Sequence, residues 1–477
     1  MESCGQSHLL QFWSSLSEAE QRSLSAEILE IDVPHSLELF RQAVSSEAQQ
    51  DCESLAQHMQ PMPVQAHSSV TSCSAEELTD LQREGLELIA QGKVSTLLLA
   101  GGQGTRLGVT YPKGMYDIGL PSHKSLYQLQ AERIRRLQTE HTREPTVQFL
   151  SERGYFGLNP AQVFVFEQAM LPCFSFDGKI LLETPSRIAR APDGNGGLFR
   201  ALRDNNVLED MTRRGLQYVH VYGVDNVLVR PADPVFVGYC SRQGVECGAK
   251  VVDKAFPTEA VGVICLRNED GRLTYGLGSI CNHVFSVPFL QRVCLDPKGG
   301  VTDGLKLHVA KKCIPVADPI TGESQAPSKH NGIKVEKFVF DAFPLAKSFA
   351  CWEVRREDEF SPLKNHPGAS VDTPASARYA LLTYHQRLIL AAGGKFVGDD
   401  NMELPLMLGD SNKSWETPVV CEISPLLSYC GENLGAVVSG KTFTSPVLLR
   451  DPKEQNHGHK NHCNNDLIIL TKENHQL

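Results

Sequence analysis

Leu97-Leu98-Leu99-Ala100 runs directly into Gly101-Gly102-Gln103-Gly104-Thr105-Arg106-Leu107-Gly108, and then into Tyr111-Pro112-Lys113-Gly114. No other stretch constrains this chain as strongly. A short apolar strand ends in a turn holding four glycines, with an arginine inside the turn and a lysine just after it. Glycine has no Cβ and adopts φ > 0 without penalty, so the backbone can approach a bulky anion. Bare N–H groups and two cations then meet phosphate charge. The alternative is an ordinary glycine-rich turn, which the glycines alone would suit and which leaves Arg106 and Lys113 unexplained.

Two familiar phosphate loops do not fit. The P-loop closes on Gly-Lys-Ser/Thr with its hydroxyl on Mg²⁺, whereas Lys113 precedes Gly114 and no hydroxyl follows. The dinucleotide fingerprint G-x-G-x-x-G opens a long helix. Here Leu107 holds the third glycine position, and Pro112-Lys113-Gly114 interrupts any helix. A nicotinamide-dependent dehydrogenase is disfavoured on the same grounds.

From Val94 onward, strands alternate with helices, the pattern of a doubly wound α/β sheet. Strands are expected at 94–100, 163–166, 179–183, 217–222, 248–252 and 260–266, and helices at 121–140, 197–211 and 233–243. Residues 1–92 read as a helical region, with Ser74-Ala75-Glu76-Glu77 as a helix start and polar, proline-bearing 49–72 as a loop or linker. After 365 a helix at 375–391 leads to strands near 417–423 and 435–450, a small β-rich C-terminal domain. The expected division is therefore 1–92, 93–365 and 366–477. Histidine-rich 455–462 reads as a solvated loop with at most adventitious metal binding.

Composition removes several classes. Forty-six basic against 56 acidic residues leave a net charge of −10 with no basic block, against general nucleic-acid binding. No apolar run approaches the ~20 residues of a membrane span. Fourteen cysteines form no CxxC pair, and no leader-like segment opens the sequence. They read as reduced thiols of a cytoplasmic protein.

The loop L-A-G-G-Q-G-T-R-L-G with Pro112-Lys113-Gly114 resembles the signature of the UDP-N-acetylhexosamine pyrophosphorylases, and of sugar nucleotidyltransferases more broadly. The likeness continues in order through 191–197 (A-P-D-G-N-G-G), 220–226 (H-V-Y-G-V-D-N), 331–334 (N-G-I-K), 357–365 (E-D-E-F-S-P-L-K-N) and 421–426 (C-E-I-S-P-L). It implies a Rossmann-like mixed or parallel sheet. The implied enzyme is a uridylyltransferase that joins UTP and N-acetylhexosamine 1-phosphate into UDP-N-acetylhexosamine and pyrophosphate. The cofactor implied is Mg²⁺, with Mn²⁺ possible.

Residue by residue, the resemblance implies catalytic roles for Arg106, Lys113 and Lys364. Nucleotide contacts fall on Leu99, Ala100, Gly101, Gly102, Lys113, Gln168, Gly194, Gly223 and Lys334, and sugar contacts on Asn195, Gly262, Ser279, Phe338, Phe340 and Lys364. Asp225, following an apolar strand, is the carboxylate expected to hold the metal. Each has a plainer alternative. Lys113, Lys334 and Lys364 could be solvated charges, Gln168 a strand-end polar residue, and Asp225 and Asn195 turn residues. Gly262 could mark a bulge. Phe338 and Phe340 share one face if their segment is a strand, where they could equally be core.

Three departures from the family stand out. Helix 121–140 runs almost directly into 145–150 (P-T-V-Q-F-L), where relatives place another strand with Thr-Ser at its end. Its loss would leave neighbouring backbone groups unmatched. The segment after Gly262 is short and lacks a sugar-binding Glu-Tyr pair, and Ser279 replaces a sugar-contacting asparagine. Beyond these three, Gly223 also replaces a cysteine, which a backbone contact would survive. Uridine nucleotide binding should therefore persist better than acceptor selectivity. The second reading is a paralogue that binds UTP or UDP-sugar with weak or no turnover and serves a regulatory or partner-binding role.

Overall fold

The computed structural model describes residues 1–48, 59–60, 62–101, 104–138, 154–256, 259, 261–264, 266–267, 277–295, 305–404, 406, 415, 417, 419–452, 454 and 468–470. Gly102 of the glycine loop, the 145–150 run, most of the shortened segment after Gly262, and the histidine-rich stretch lie outside the described residues.

A six-stranded mixed sheet forms the centre: β1 (His67–Ser69), β2 (Val94–Leu99), β3 (Tyr218–Gly223), β4 (Cys247–Asp253), β5 (Leu277–Ser286) and β6 (Phe349–Glu353), in the order β1-β6-β4-β5-β3-β2. β5 runs antiparallel to β3 and β4, and the remaining pairs are parallel. Helices cover both faces, as the alternating pattern predicts. Phe199, Phe289 and Leu290 pack under Leu97, Val219 and Val221, while Phe236, Tyr239 and Leu81 pack over Val252, Val284 and Trp352.

Helix Ala75–Ala90 starts at the expected cap: Ser74 Oγ accepts from the Glu77 N–H, and the Glu77 carboxylate accepts from the Ser74 N–H. Two acceptors thus satisfy donors that a helix start leaves bare. Helices Glu18–Glu30 and Val33–Ala48 pack Leu24, Leu37 and Phe40 against Phe174, Ile180, Ile333 and Val335. The last four belong to or border a small sheet of His308–Lys312, Gly332–Glu336 and Phe174–Ser175.

Several expectations are corrected. The polar stretch 49–72 is more than a linker, because its His67–Ser69 pairs with Cys351–Glu353 as the sheet's edge strand. Residues 163–166 form no strand; Phe164 and Val165 are about half exposed, without a ladder partner to hold them extended. Of the range 260–266, residues 260 and 265 lie outside the described ones; among the rest, Val263 makes a single bridge to Gly278, and only the start of the two-residue strand Leu266–Arg267 falls in the range. The strand expected at 179–183 reduces to Leu182–Thr184. Helix 197–211 is two helices, Leu198–Asp204 and Val207–Arg213, split where Asn206 takes φ 55°. Helix Pro374–Ala391 forms as expected, but 435–450 opens with a one-turn helix, Gly435–Val438, before Thr442–Thr444 and Val447–Arg450.

Among the described residues, β2 is paired only with β3, so the glycine loop leaves an edge strand. The eleven described cysteines are all free. No described helix is long and apolar enough to cross a membrane.

Candidate active site

β2 and β3 end in register, Leu99 opposite Gly223, so the glycine loop and Val224-Asp225-Asn226 leave the sheet side by side. The carboxyl ends of the strands are where α/β folds hold ligands. The loop curls through a 3₁₀ turn, Gly104–Leu107, and Leu107 inserts into a core with Leu120, Leu126 and Leu129. The leucine in the third glycine position is thus an anchor, and Arg106 beside it stays exposed.

The turn Lys113–Met115 follows. Lys113 is within electrostatic reach of Asp225, Lys364, Arg106 and Asp372. Burial pulls its ammonium below the usual lysine value; Asp225 opposes that, while Lys364 and Arg106 add to it. Three cations and two carboxylates therefore gather at the exits of β2 and β3.

Lys364 reaches this place through backbone pairing. Its N–H donates to the Asp372 carbonyl at 2.8 Å, and the Leu363 N–H donates to the Asp225 carbonyl at 2.8 Å. Asn226 pins the same loop: Nδ2 donates to the Glu359 carbonyl at 2.7 Å, and Oδ1 accepts from Ser361 N at 2.9 Å and Leu228 N at 3.2 Å. Glu359 is held in turn by Lys250, a fully buried lysine that also pairs with Asp233.

Sequence reasoning missed Asp372, Asn226, Lys250 and Glu359 as parts of the site. Asp372 sits at φ 57°, and burial raises its carboxyl above the ordinary range while Lys364 holds it down. Its only local signal was its place before the Thr373 cap of helix Pro374–Ala391. Lys250 could have been noticed as a lysine inside an apolar strand pattern, G-A-K-V-V.

On the nucleotide side, Gln168 Nε2 donates to Asp193 Oδ1 (2.8 Å) and the Gly194 carbonyl (2.7 Å). Those bonds turn Oε1 toward Gly101, whose position for a Cβ lies 3.8 Å away. Gly101 has no positive φ, and a Cβ there would meet nothing else within 4 Å among the described residues. The fold itself does not require that glycine. Gly194 is the opposite case: φ is +84° and a Cβ would collide with the Lys337 carbonyl. Loop 193–197 is stitched to 337–339 by Lys337 N to Asp193 O (2.7 Å), Gly196 N to Lys337 O (2.8 Å) and Val339 N to Asn195 Oδ1 (3.0 Å). Ala100 carries a 3.4 Å bond from Tyr127 Oη, and a Cβ on Gly223 would touch Asp225 Oδ1 at 2.8 Å.

Asn195 Nδ2 faces Cys281 Sγ at 4.0 Å. Cys281 lies in a bulge of β5, at φ 53°: Ser279 and His283 oppose Val251 and Ala249, so the strand carries extra residues. Burial pushes the thiol up to about 12, with Asp225 adding to the rise, so it stays protonated. Ser279 N donates to the Gly262 carbonyl at 2.7 Å, which joins two expected sugar residues; a Cβ on Gly262 would meet nothing within 4 Å among the described residues.

Two expectations shift. Phe338 and Phe340 are not on a strand, because a 3₁₀ turn, Val339–Leu345, begins between them. Their rings nevertheless stack at 5.1 Å, with His308 against Phe338 at 4.7 Å. Lys334 stands apart from the cationic cluster, on the small sheet, paired with Glu336 at 2.9 Å.

Residues 37–275 match the family of UTP–glucose-1-phosphate uridylyltransferases. The chain is 45% identical to human UDP-N-acetylhexosamine pyrophosphorylase-like protein 1, over 95% of this chain and 98% of that one. It is 38% identical to the UDP-N-acetylglucosamine pyrophosphorylase of Saccharomyces cerevisiae, over 92% and 96%. Its structure is similar to the Trypanosoma brucei uridine diphosphate N-acetylglucosamine pyrophosphorylase solved with an inhibitor, at TM-score 0.72 and 29% identity, covering 91% and 92% of the two chains. The chain belongs to this nucleotidyltransferase family.

Proposed function

We propose that, as a member of that family, this chain transfers uridylyl from UTP to N-acetylglucosamine or N-acetylgalactosamine 1-phosphate, giving UDP-N-acetylhexosamine and pyrophosphate. The observation that carries the reading is the gathering of Asp225, Lys364 and Arg106 around Lys113 where β2 and β3 end. A phosphate oxygen of the sugar phosphate attacks the α-phosphorus of UTP. The bond from that phosphorus to the β-phosphate's bridging oxygen breaks, and pyrophosphate departs. Such transfer needs positioning and charge neutralisation more than covalent help.

Arg106 forks onto phosphate oxygens, Lys113 neutralises the departing pyrophosphate, and Lys364 holds the acceptor phosphate. Gln168, its Nε2 already committed, presents Oε1 to the uracil imide N–H, while bare backbone at Leu99–Gly102 admits the base. Asn195, Gly262, Ser279, Phe338 and Phe340 border the sugar, and the Gly194 and Gly223 backbones line the nucleotide. Lys334 would exchange Glu336 for phosphate.

Mg²⁺, or Mn²⁺ in its place, fits the donors present: one or two carboxylates completed by substrate phosphate oxygens is the usual magnesium shell. Asp225 would hold it, with Asp372 nearby. When bound, the ion neutralises phosphate charge. We place the transfer unit at 93–365, between a helical region and a C-terminal domain with its own apolar core of Ile389, Phe396, Val419 and Leu449, and assign the protein to the cytoplasm.

A pyrophosphate-exchange assay with UDP-GlcNAc and UDP-GalNAc tests the proposal. Exchange that Lys113→Ala abolishes supports it. Tight UTP binding with no exchange from well-folded protein would favour the second reading, binding without turnover.

A further inference from the structure

A pair of stacked rings reaches solvent beside Asn195. Phe340 is 45% exposed, and its ring lies 5.1 Å from that of Phe338 with 24° between their planes. Val339, between them, donates its N–H to Asn195 Oδ1 at 3.0 Å, so the pair is tied to the loop that carries Gly194 and Asn195. Aromatic rings gain much from burial, and a stacked pair left open to water marks a surface that something apolar covers.

The backbone alone does not set this stack. Phe338 precedes the 3₁₀ turn Val339–Leu345 and Phe340 lies inside it. In such a turn residues three apart align, not residues two apart, so the rings need support from elsewhere. His308 supplies it from the strand His308–Lys312. Its ring lies 4.7 Å from Phe338 and 6.2 Å from Phe340, a third member of the cluster.

Asp341 fastens the turn to that strand. Its Oδ1 accepts from His308 Nε2 at 2.8 Å, and its Oδ2 accepts from the Phe338 N–H at 2.6 Å. The Asp341 side chain is almost wholly buried, and a carboxylate out of water is stable only with donors such as these. The strand end is anchored in turn, because Leu307 is buried in the core that holds Leu37 and Phe40. A chain of contacts thus runs from that core through His308 and Asp341 to the two rings.

We infer that His308 and Asp341 are positioning residues for the acceptor sugar: they fix Phe338 and Phe340 so that Phe340 offers its exposed ring to the apolar C–H face of the hexosamine. This rests on the sugar-nucleotide site proposed above and not on turnover. Calorimetric titration of the full chain with UDP and with UDP-GlcNAc isolates the sugar's share as the ratio of the two affinities. His308→Ala should lower that ratio by about five- to tenfold, with UDP affinity unchanged. Phe340→Ala should do the same. In that background His308→Ala should cost less than about a further twofold, because residues acting through one contact are not additive. Should His308→Ala fail to fold, His308→Gln can still donate to Asp341 but lacks the ring, and should lower the ratio by about threefold. An unchanged ratio in a folded variant, additive losses, or equal losses for UDP and UDP-GlcNAc overturn the inference, as does unsubstituted protein that binds the two equally. Unsubstituted protein that binds UDP-GlcNAc more tightly than UDP yet shows no pyrophosphate exchange refutes the proposed turnover and leaves the comparison of variants fully decisive.

Discussion

Asn226 is the joint between the residue expected to hold the metal and the loop that brings Lys364. It is 4% exposed and makes three hydrogen bonds, to Glu359 O, Ser361 N and Leu228 N. Asn226→Ala removes all three. At about 1 kcal/mol net per bond the loss is about 3 kcal/mol of stability, more if the abandoned backbone groups stay dry. The backbone bonds Leu363 N to Asp225 O and Val227 N to Ser361 O remain, so the loop should loosen without detaching. A misplacement of ~1 Å costs about 10²-fold in rate. The expected result is kcat for pyrophosphate exchange down by about 10- to 100-fold. UTP affinity should change little, because Gln168, Gly101 and Gly194 lie on other segments. Asn226→Asp, which keeps Oδ1 and turns the Nδ2 donor into an oxygen facing the Glu359 carbonyl, should fall between the two. Steady-state kinetics and calorimetric UTP titration on the same preparations make the comparison. A variant that loses stability while retaining full kcat would refute the positioning argument.

Lys113 gives a pH signature with opposite signs for binding and stability. Its folded value lies below the usual 10.5, so UTP affinity should fall as pH rises through that lowered value, and Lys113→Arg should hold affinity across about pH 7 to 10; an identical alkaline fall in the arginine variant would exclude Lys113 as its source. The folded chain binds this proton less tightly than the unfolded chain, so the contribution of Lys113 to stability should increase with pH between the two values. Gly101→Ala should leave the melting temperature nearly unchanged, since its Cβ meets only Gln168 Oε1 at 3.8 Å, yet weaken UTP binding by roughly tenfold or more, the cost of about 1.4 kcal/mol of lost contact.

Much of this protein could be read from local chemistry. A strand that ends in glycines beside two cations carries its meaning within twenty residues, and so does the Ser74 cap, because turns and helix starts are decided by neighbouring backbone groups. The ordered motifs carried Arg106, Lys113, Asp225 and Lys364 for the same reason. Folding had to settle what depends on distant partners. Periodicity says which residues want burial but not which strand lies next to which, so His67–Ser69 at the sheet edge and the bulge at Cys281 could not be anticipated. Asp372 acquires its role only when its backbone pairs with Lys364, and Lys250 is tolerable inside β4 only because Asp233 and Glu359 come to it from other segments. A buried charge is stable by virtue of a partner far away in the chain, and that pairing exists only once the chain has folded.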